Sequence, residues 1–268
     1  MIKTVSTLAL CCAASIAPAL AQTGPEGGAN PLREFVAFGA AALPDYSGSD
    51  DYRVIPFGAV RLEFGDTVVR TDGPGLAAEL YTQGPLTAGV YARWSGGRND
   101  VEDAVVDLLP DVDSSVIAGG FVDVAIARQV ISPFDRVSLN AKVGADLLGE
   151  FEGVTWSSGI SYSGPLSRTS FVNLGLSVSG YSDDYAELLY SVDGAGSAAS
   201  GLPVYMASGG IGDVGLTGVY AQTVGSQWLV SGVVGWSRLV GDFADSPIVS
   251  ERGDDNQFLV GVMLGRRL

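Results

Sequence analysis

From Glu34 onward the chain is written in period two. The cleanest stretch is Arg136 to Leu148. Val137, Leu139, Ala141, Val143, Ala145 and Leu147 fall on one face, and Ser138, Asn140, Lys142, Gly144 and Asp146 on the other. Near the end, Trp228, Val230, Gly232, Val234 and Trp236 share one face of a strand. Phe258, Val260, Val262 and Leu264 share one face of the last. Alternation of this kind specifies strands with one apolar side. A soluble sandwich uses the pattern, and so does a strand with lipid outside and a polar lumen inside.

Composition separates the two. Apolar residues make up 47% of the chain, glycine supplies 37 of its 268 residues, and the net charge is −15. Yet no apolar run of twenty residues follows the N-terminal segment, so a membrane helix is not expected. High glycine, alternating segments and no long apolar block together favour a transmembrane β-barrel.

The segments read as Glu34–Leu43, Arg53–Phe64, Thr67–Thr71, Leu76–Thr82, Leu86–Trp94, Val116–Ile131, Arg136–Leu148, Val154–Tyr162, Arg168–Tyr181, Val214–Thr223, and the two closing strands. Gly65-Asp66, Gln83–Pro85, Ser132–Asp135, Gly164–Ser167 and Val224–Ser226 are tight turns. Between them fall generally longer connectors, including Ser95–Ser115, Ser182–Tyr205 and Val240–Asp255. Short and long connectors alternate, as periplasmic turns and external loops do in outer-membrane barrels. The expected fold is all-β, an antiparallel up-and-down barrel of 12 strands, with 10 as the alternative because two early strands are short. A short helix is expected within Asn99–Leu109.

Seven charges fall on the predicted inner face: Arg61, Glu63, Glu79, Arg93, Asp123, Lys142 and Asp146. They are expected to pair across a narrow, hydrated lumen. Leu76, Ala78 and Leu80 are expected outside, with Glu79 and Tyr81 inside. Trp94, Trp156, Trp228 and Trp236 suit the membrane interfaces.

The N-terminus reads as processing signal rather than fold. Lys3, an apolar run from Val5 to Ile16 and the small-x-small Ala19-Leu20-Ala21 make residues 1–21 a secretory signal peptide. Residues 22–33 are a Gly/Pro-rich lead, and residues 34–268 form the barrel domain. Both cysteines, Cys11 and Cys12, lie in the signal segment, and the chain has no histidine. Zinc and haem sites built on His or Cys are thereby excluded. So are Ser-His-Asp hydrolases and other histidine-activated nucleophiles. No catalytic residue, metal or cofactor is expected. The acidic balance argues against nucleic acid as a partner. Its carboxylates cluster in polar blocks such as Asp100–Asp113, which does not match the spacing of an EF-hand loop.

Four loop strings remain. Leu43-Pro44-Asp45-Tyr46-Ser47-Gly48-Ser49-Asp50 precedes Ile55-Pro56-Phe57. Asp72-Gly73-Pro74-Gly75-Leu76 follows. Ser200-Gly201-Leu202-Pro203-Val204-Tyr205 is the third. The fourth runs from Ser237 to Val249 through Gly241, Asp242, Asp245, Ser246 and Pro247. Turn chemistry accounts for the residue types, but not for strings of this length and order. In that order they resemble the MipA/OmpV family of Gram-negative outer-membrane proteins, over nearly all of the chain from Phe35. The resemblance implies an outer-membrane barrel in contact with lipid. It also implies, as expectations, a scaffold linking a lytic transglycosylase to a murein synthase, or a porin-like or adhesin role. Asp242 and Asp245 are expected to bond neighbouring backbone and fold their loop inward as a partial plug, with a direct functional role for them and Ser246 as the other reading.

Overall fold

A sheet of strands five to fifteen residues long leaves unpaired backbone N–H and C=O groups at its two edges, and the chain satisfies them by closing on itself. The structure is a computed structural model that describes residues 34–151 and 153–268. The expected signal peptide (1–21) and lead (22–33) lie outside the described residues. The strands are β1 (Phe35–Pro44), β2 (Tyr52–Phe64), β3 (Thr67–Thr71), β4 (Gly75–Gln83), β5 (Leu86–Ser95) and β6 (Ser115–Arg128). They continue with β7 (Arg136–Asp146), β8 (Val154–Pro165), β9 (Ser170–Tyr181), β10 (Gly210–Val224), β11 (Trp228–Leu239) and β12 (Asn256–Arg267). Every neighbouring pair is antiparallel. β1 closes the barrel on β12, from Phe35 opposite Arg267 to Ala42 opposite Val260. The two short strands β3 and β4 are distinct members of the ladder, so the count is 12. Among the described residues no helix is long and apolar enough to cross a membrane.

The outer face carries the predicted stripes. Val137, Leu139 and Val143 of β7 point outward with Val230, Val234, Phe258, Val260, Val262 and Leu264 of the closing strands. Trp228 opens β11 at the short-turn end, while Trp94, Trp156 and Trp236 stand near the opposite ends of their strands. Tyr81 differs from expectation. A bulge in β4 between Glu79 and Tyr81 shifts the register, so Tyr81 pairs with Ala88 and turns out to the lipid face. β6 also stops earlier than its apolar run suggests. Gln129 takes a positive φ of 58°. The Asp135 carboxylate then accepts from the backbone N–H groups of Val130, Ile131 and Ser132, each at 2.7 Å. Backbone donors that would continue the ladder are consumed by the turn.

The interior has two sectors. Facing β1, β2 and β9 to β12 it is apolar. Phe35, Phe171, Leu229 and Met263 pack toward the short-turn end, with Ile55, Val219, Val233 and Leu259 above them. Facing β2 to β7 it is charged. Alternation indicated a polar, hydrated lumen, but Leu229, Val233, Leu259 and Met263 occupy inner positions of β11 and β12. Side chains that fill a barrel bury one another from water, so the inner face need not be polar.

The long loops supply helices. Val106–Leu108 forms one 3-10 turn inside the expected stretch. Not foreseen are α1 (Asp183–Tyr190), α2 (Gly194–Ser200), α3 (Asp242–Asp245) and α4 (Pro247–Ser250). Asp193 caps α2 by accepting from Gly196 N at 2.6 Å, and Ser246 caps α4 with Pro247 at its first position.

Candidate functional site

The external loops fold inward together as a lid. Its centre is aromatic. Tyr181, at the outer tip of β9, stacks on Tyr185 of α1 with ring centroids 4.6 Å apart and an interplanar angle of 12°. Phe243 of α3 lies 5.4 Å from Tyr181 and meets Tyr190 edge-on at 4.9 Å. Phe151 closes the group against Tyr185 at 5.3 Å. These rings are continuous with inner-wall residues Tyr91, Ile117 and Phe121. A second apolar group, Tyr46, Val106, Leu109, Val192, Leu202 and Ile248, binds the loops to one another.

Three of the four loop strings meet in this lid. In the first, Pro44 ends β1, Tyr46 is buried, and Asp50 is exposed. Gly48 has φ +94°, and a Cβ there would lie 2.4 Å from Cγ2 of Val249. The Gly48 carbonyl accepts from Asp254 N at 2.9 Å, Gly48 N donates to Oε1 of Gln257 at 3.2 Å, and Ser49 bridges to Gly253. In the third, Gly201 ends α2 in the left-handed region at φ 81°, Leu202 is buried, and Pro203 is exposed. Tyr205 pairs with Val192, and its hydroxyl donates to the Asp242 carbonyl at 2.9 Å. In the fourth, Gly241 leads into α3 with φ 58°. Ser208 N donates to Oδ2 of Asp242 at 3.0 Å. Ser246 Oγ donates to the Tyr190 carbonyl at 2.6 Å, and Pro247 is buried beside it. The Asp242 side chain thus bonds the backbone of Ser208, 34 positions earlier, rather than neighbouring backbone. Asp245 joins through its own backbone, with N donating to Gly241 O at 3.0 Å and its carbonyl accepting from Ser250 Oγ at 3.4 Å.

Charges at the lid edges are matched. Arg252 clasps Asp103 at 2.6 Å, and Arg98 donates to the Leu189 carbonyl at 2.8 Å. Asp45 pairs with Arg53 and accepts from Glu102 N at 2.9 Å. Burial works to raise the Asp103 carboxyl. The Arg252 guanidinium and the N–H groups of Val105 and Val106 outweigh it and hold the group below the ordinary carboxylate range. Burial pushes the Tyr46 hydroxyl upward, and the Asp103 charge adds to it. Tyr205 is raised by burial and then by Asp242 and Asp245.

The lumen charges lie inside, with one exception, but their partners differ from expectation. Arg61 approaches Glu63, two residues along the same strand, at 3.8 Å. Glu79 accepts from Nε of Arg70 at 2.8 Å. Lys142 reaches both oxygens of Asp72, at 2.6 and 2.7 Å, and Arg70 stands 3.8 Å from the same carboxylate. Arg70 also lies over the Phe121 ring and Lys142 over Tyr91. Asp123 is buried in the charged sector, within electrostatic reach of Arg136. Asp146 is the exception. It sits at the outer end of β7, accepts from the Ser115 hydroxyl, and takes Leu148 N at 3.0 Å and Phe151 N at 2.6 Å. It caps its loop and pairs with no lumen cation, because a carboxylate at a strand end meets the free N–H groups of the turn first.

Arg70 and Asp72 were not among the expected lumen charges. Parity could have found Arg70, since Arg61 pairs with Arg70 across β2 and β3 and Val68 with Glu79 across β3 and β4. Asp72 carried no such signal. It belongs to the second loop string, whose tight turn (Asp72 N to Gly75 O, 2.9 Å) dips into the lumen beside Lys142.

Two voids persist on the polar side, each lined by Lys142 and Ser157. The outer, partly open to solvent, is also lined by Asp72, Tyr91, Arg93 and Tyr181. The inner adds Asn140, Ser177 and Thr217.

Comparison with known proteins gives the same architecture a family. No curated protein matches the chain. Among solved structures it is similar to Pseudomonas putida OprB in its high-pH structure, at 14% identity and TM-score 0.38, over 80% of this chain and 56% of that one. It is also similar to in-vitro folded OmpT, an outer membrane protein of Vibrio cholerae, at 10% identity and TM-score 0.35, over 82% of this chain and 65% of that one. The chain therefore spans less than two thirds of either. The family model described as MltA-interacting protein MipA matches residues 36–268, which is the barrel with its lid. The chain belongs to the MipA family and is an outer-membrane β-barrel protein.

Proposed function

We propose that this chain is a non-enzymatic, non-conducting interaction protein of the outer membrane, serving as a scaffold in peptidoglycan synthesis and remodelling. One observation carries the reading: the lumen is filled at both ends by the chain's own side chains. Outside, the aromatic lid packs on the inner wall. At the short-turn end Phe35, Arg61, Ser138, Asn173 and Leu229 are each almost wholly buried. A filled barrel gives solutes no path and gives a partner a rigid surface. The absence of histidine and of any cysteine beyond Cys11 and Cys12 supports the non-enzymatic part. The family's name describes its namesake as interacting with MltA. On that basis the partners proposed here are a lytic transglycosylase and a murein synthase.

Affinity capture from detergent-solubilised membranes is the test. Recovery of murein enzymes with the wild-type barrel is expected, and their absence sinks the scaffold. A porin-like role is the second reading, favoured by the two voids beside Lys142 and Ser157. Steady single-channel steps in planar bilayers would support it over the first.

A further inference from the structure

The outer void is unusual in its charge. Lys142 and Arg70 face Asp72 and Glu79, so those four charges are matched. Arg93, on β5, faces the same void and makes no direct hydrogen bond or ion pair among the described residues. It senses Tyr185, Tyr181, Tyr91 and the carboxylates of Asp72 and Asp213 only at longer range. Asp213 is the next acid, and its carboxylate already accepts the Tyr181 hydroxyl at 2.8 Å. A guanidinium held in a confined site without a direct ion pair is costly. It also presents a planar fork of donors whose spacing matches the two oxygens of a carboxylate or phosphate. Around it the void adds the Ser157 hydroxyl, and Lys142 has a third N–H beyond the two given to Asp72.

We infer that the void beneath the lid is a binding site for a small oxyanion, a carboxylate or a phosphate, seated on the free guanidinium of Arg93 beside Lys142. Asp72 is the element of selectivity. Its charge repels an anion from the Lys142 side and directs it to Arg93. Tyr181, stacked on Tyr185, lines one side of the site.

The test uses the full chain, processed as the cell processes it and purified folded in detergent. It is titrated calorimetrically with inorganic phosphate and, separately, with acetate, each against sodium chloride at equal ionic strength. Saturable binding of at least one oxyanion is expected. The better of the two identifies the headgroup as phosphoryl or carboxyl. Arg93→Met should abolish the binding. Arg93→Lys keeps the charge and loses the fork, and should weaken binding by roughly ten-fold. Folding of each variant is read from its heat-modifiable band on gels. No saturable binding to wild type, a chloride response of equal size, or an unchanged affinity in Arg93→Lys would each overturn the assignment. The last readout stands even where Arg93→Met does not fold.

Discussion

At the residue scale, the lumen shows what a buried charge does when its partner is fixed. Arg70 serves Glu79 directly and Asp72 at longer range. Arg70→Ala leaves Glu79 buried without its guanidinium, and removing one partner of a buried pair costs about 3–5 kcal/mol. The urea midpoint of the folded barrel should fall accordingly, and an unchanged midpoint would mean water reaches the pair. Asp103 makes a prediction of opposite character, because it lies in a loop. Its folded pKa is depressed, so its contribution is present above the unfolded value of about 3.9 and is lost as pH falls through the folded value. Protease nicking of residues 96–114 should therefore rise on acidification below about pH 4. In Asp103→Asn nicking should already be high at pH 7. Equal acid sensitivity in both proteins would rule this tether out.

Among elements, the lid behaves as one unit because its loops share backbone. Gly48 is the clearest case. Its positive φ and its closeness to Val249 leave no room for a side chain. Gly48→Ala is expected to displace α4 and raise hydrogen exchange across residues 241–255 by several-fold, while the band on gels stays heat-modifiable. Loss of the folded band would instead show that the lid is needed to close the barrel. The same logic separates what was legible from what was not. Alternation located β3 and β4 as separate strands and gave β7 to within two residues. It missed the β4 bulge, since an extra residue in one strand leaves no mark on its own pattern until the partner strand is placed beside it. It missed α1 to α4, which are short and held by the aromatic packing and by caps more than by their own periodicity.

For the whole molecule, two barriers lie in series. The lid closes the outer end, and a packed layer from strands all around the barrel closes the other. Replacing Gly241–Asp255 by a short turn removes much of the first and leaves the second. The truncated protein should still be silent in planar bilayers. Steady conductance from it would mean that the lid is the only seal, and would move the molecule toward the porin-like reading.

Sequence alone determined the barrel. A strand that must show lipid on one side and a filled interior on the other has a period of two, and that period is local information. It also determined the chemistry that is excluded, because histidine and available cysteine are counted rather than placed. Tertiary structure decided the partners. Lys142 meets Asp72 across 70 positions, and Ser246 meets Tyr190 across 56. It brought three separate loop strings into one lid and left Arg93 without a direct ion pair. Contacts between residues so far apart depend on how the barrel closes and how the loops turn inward, and no local pattern encodes either.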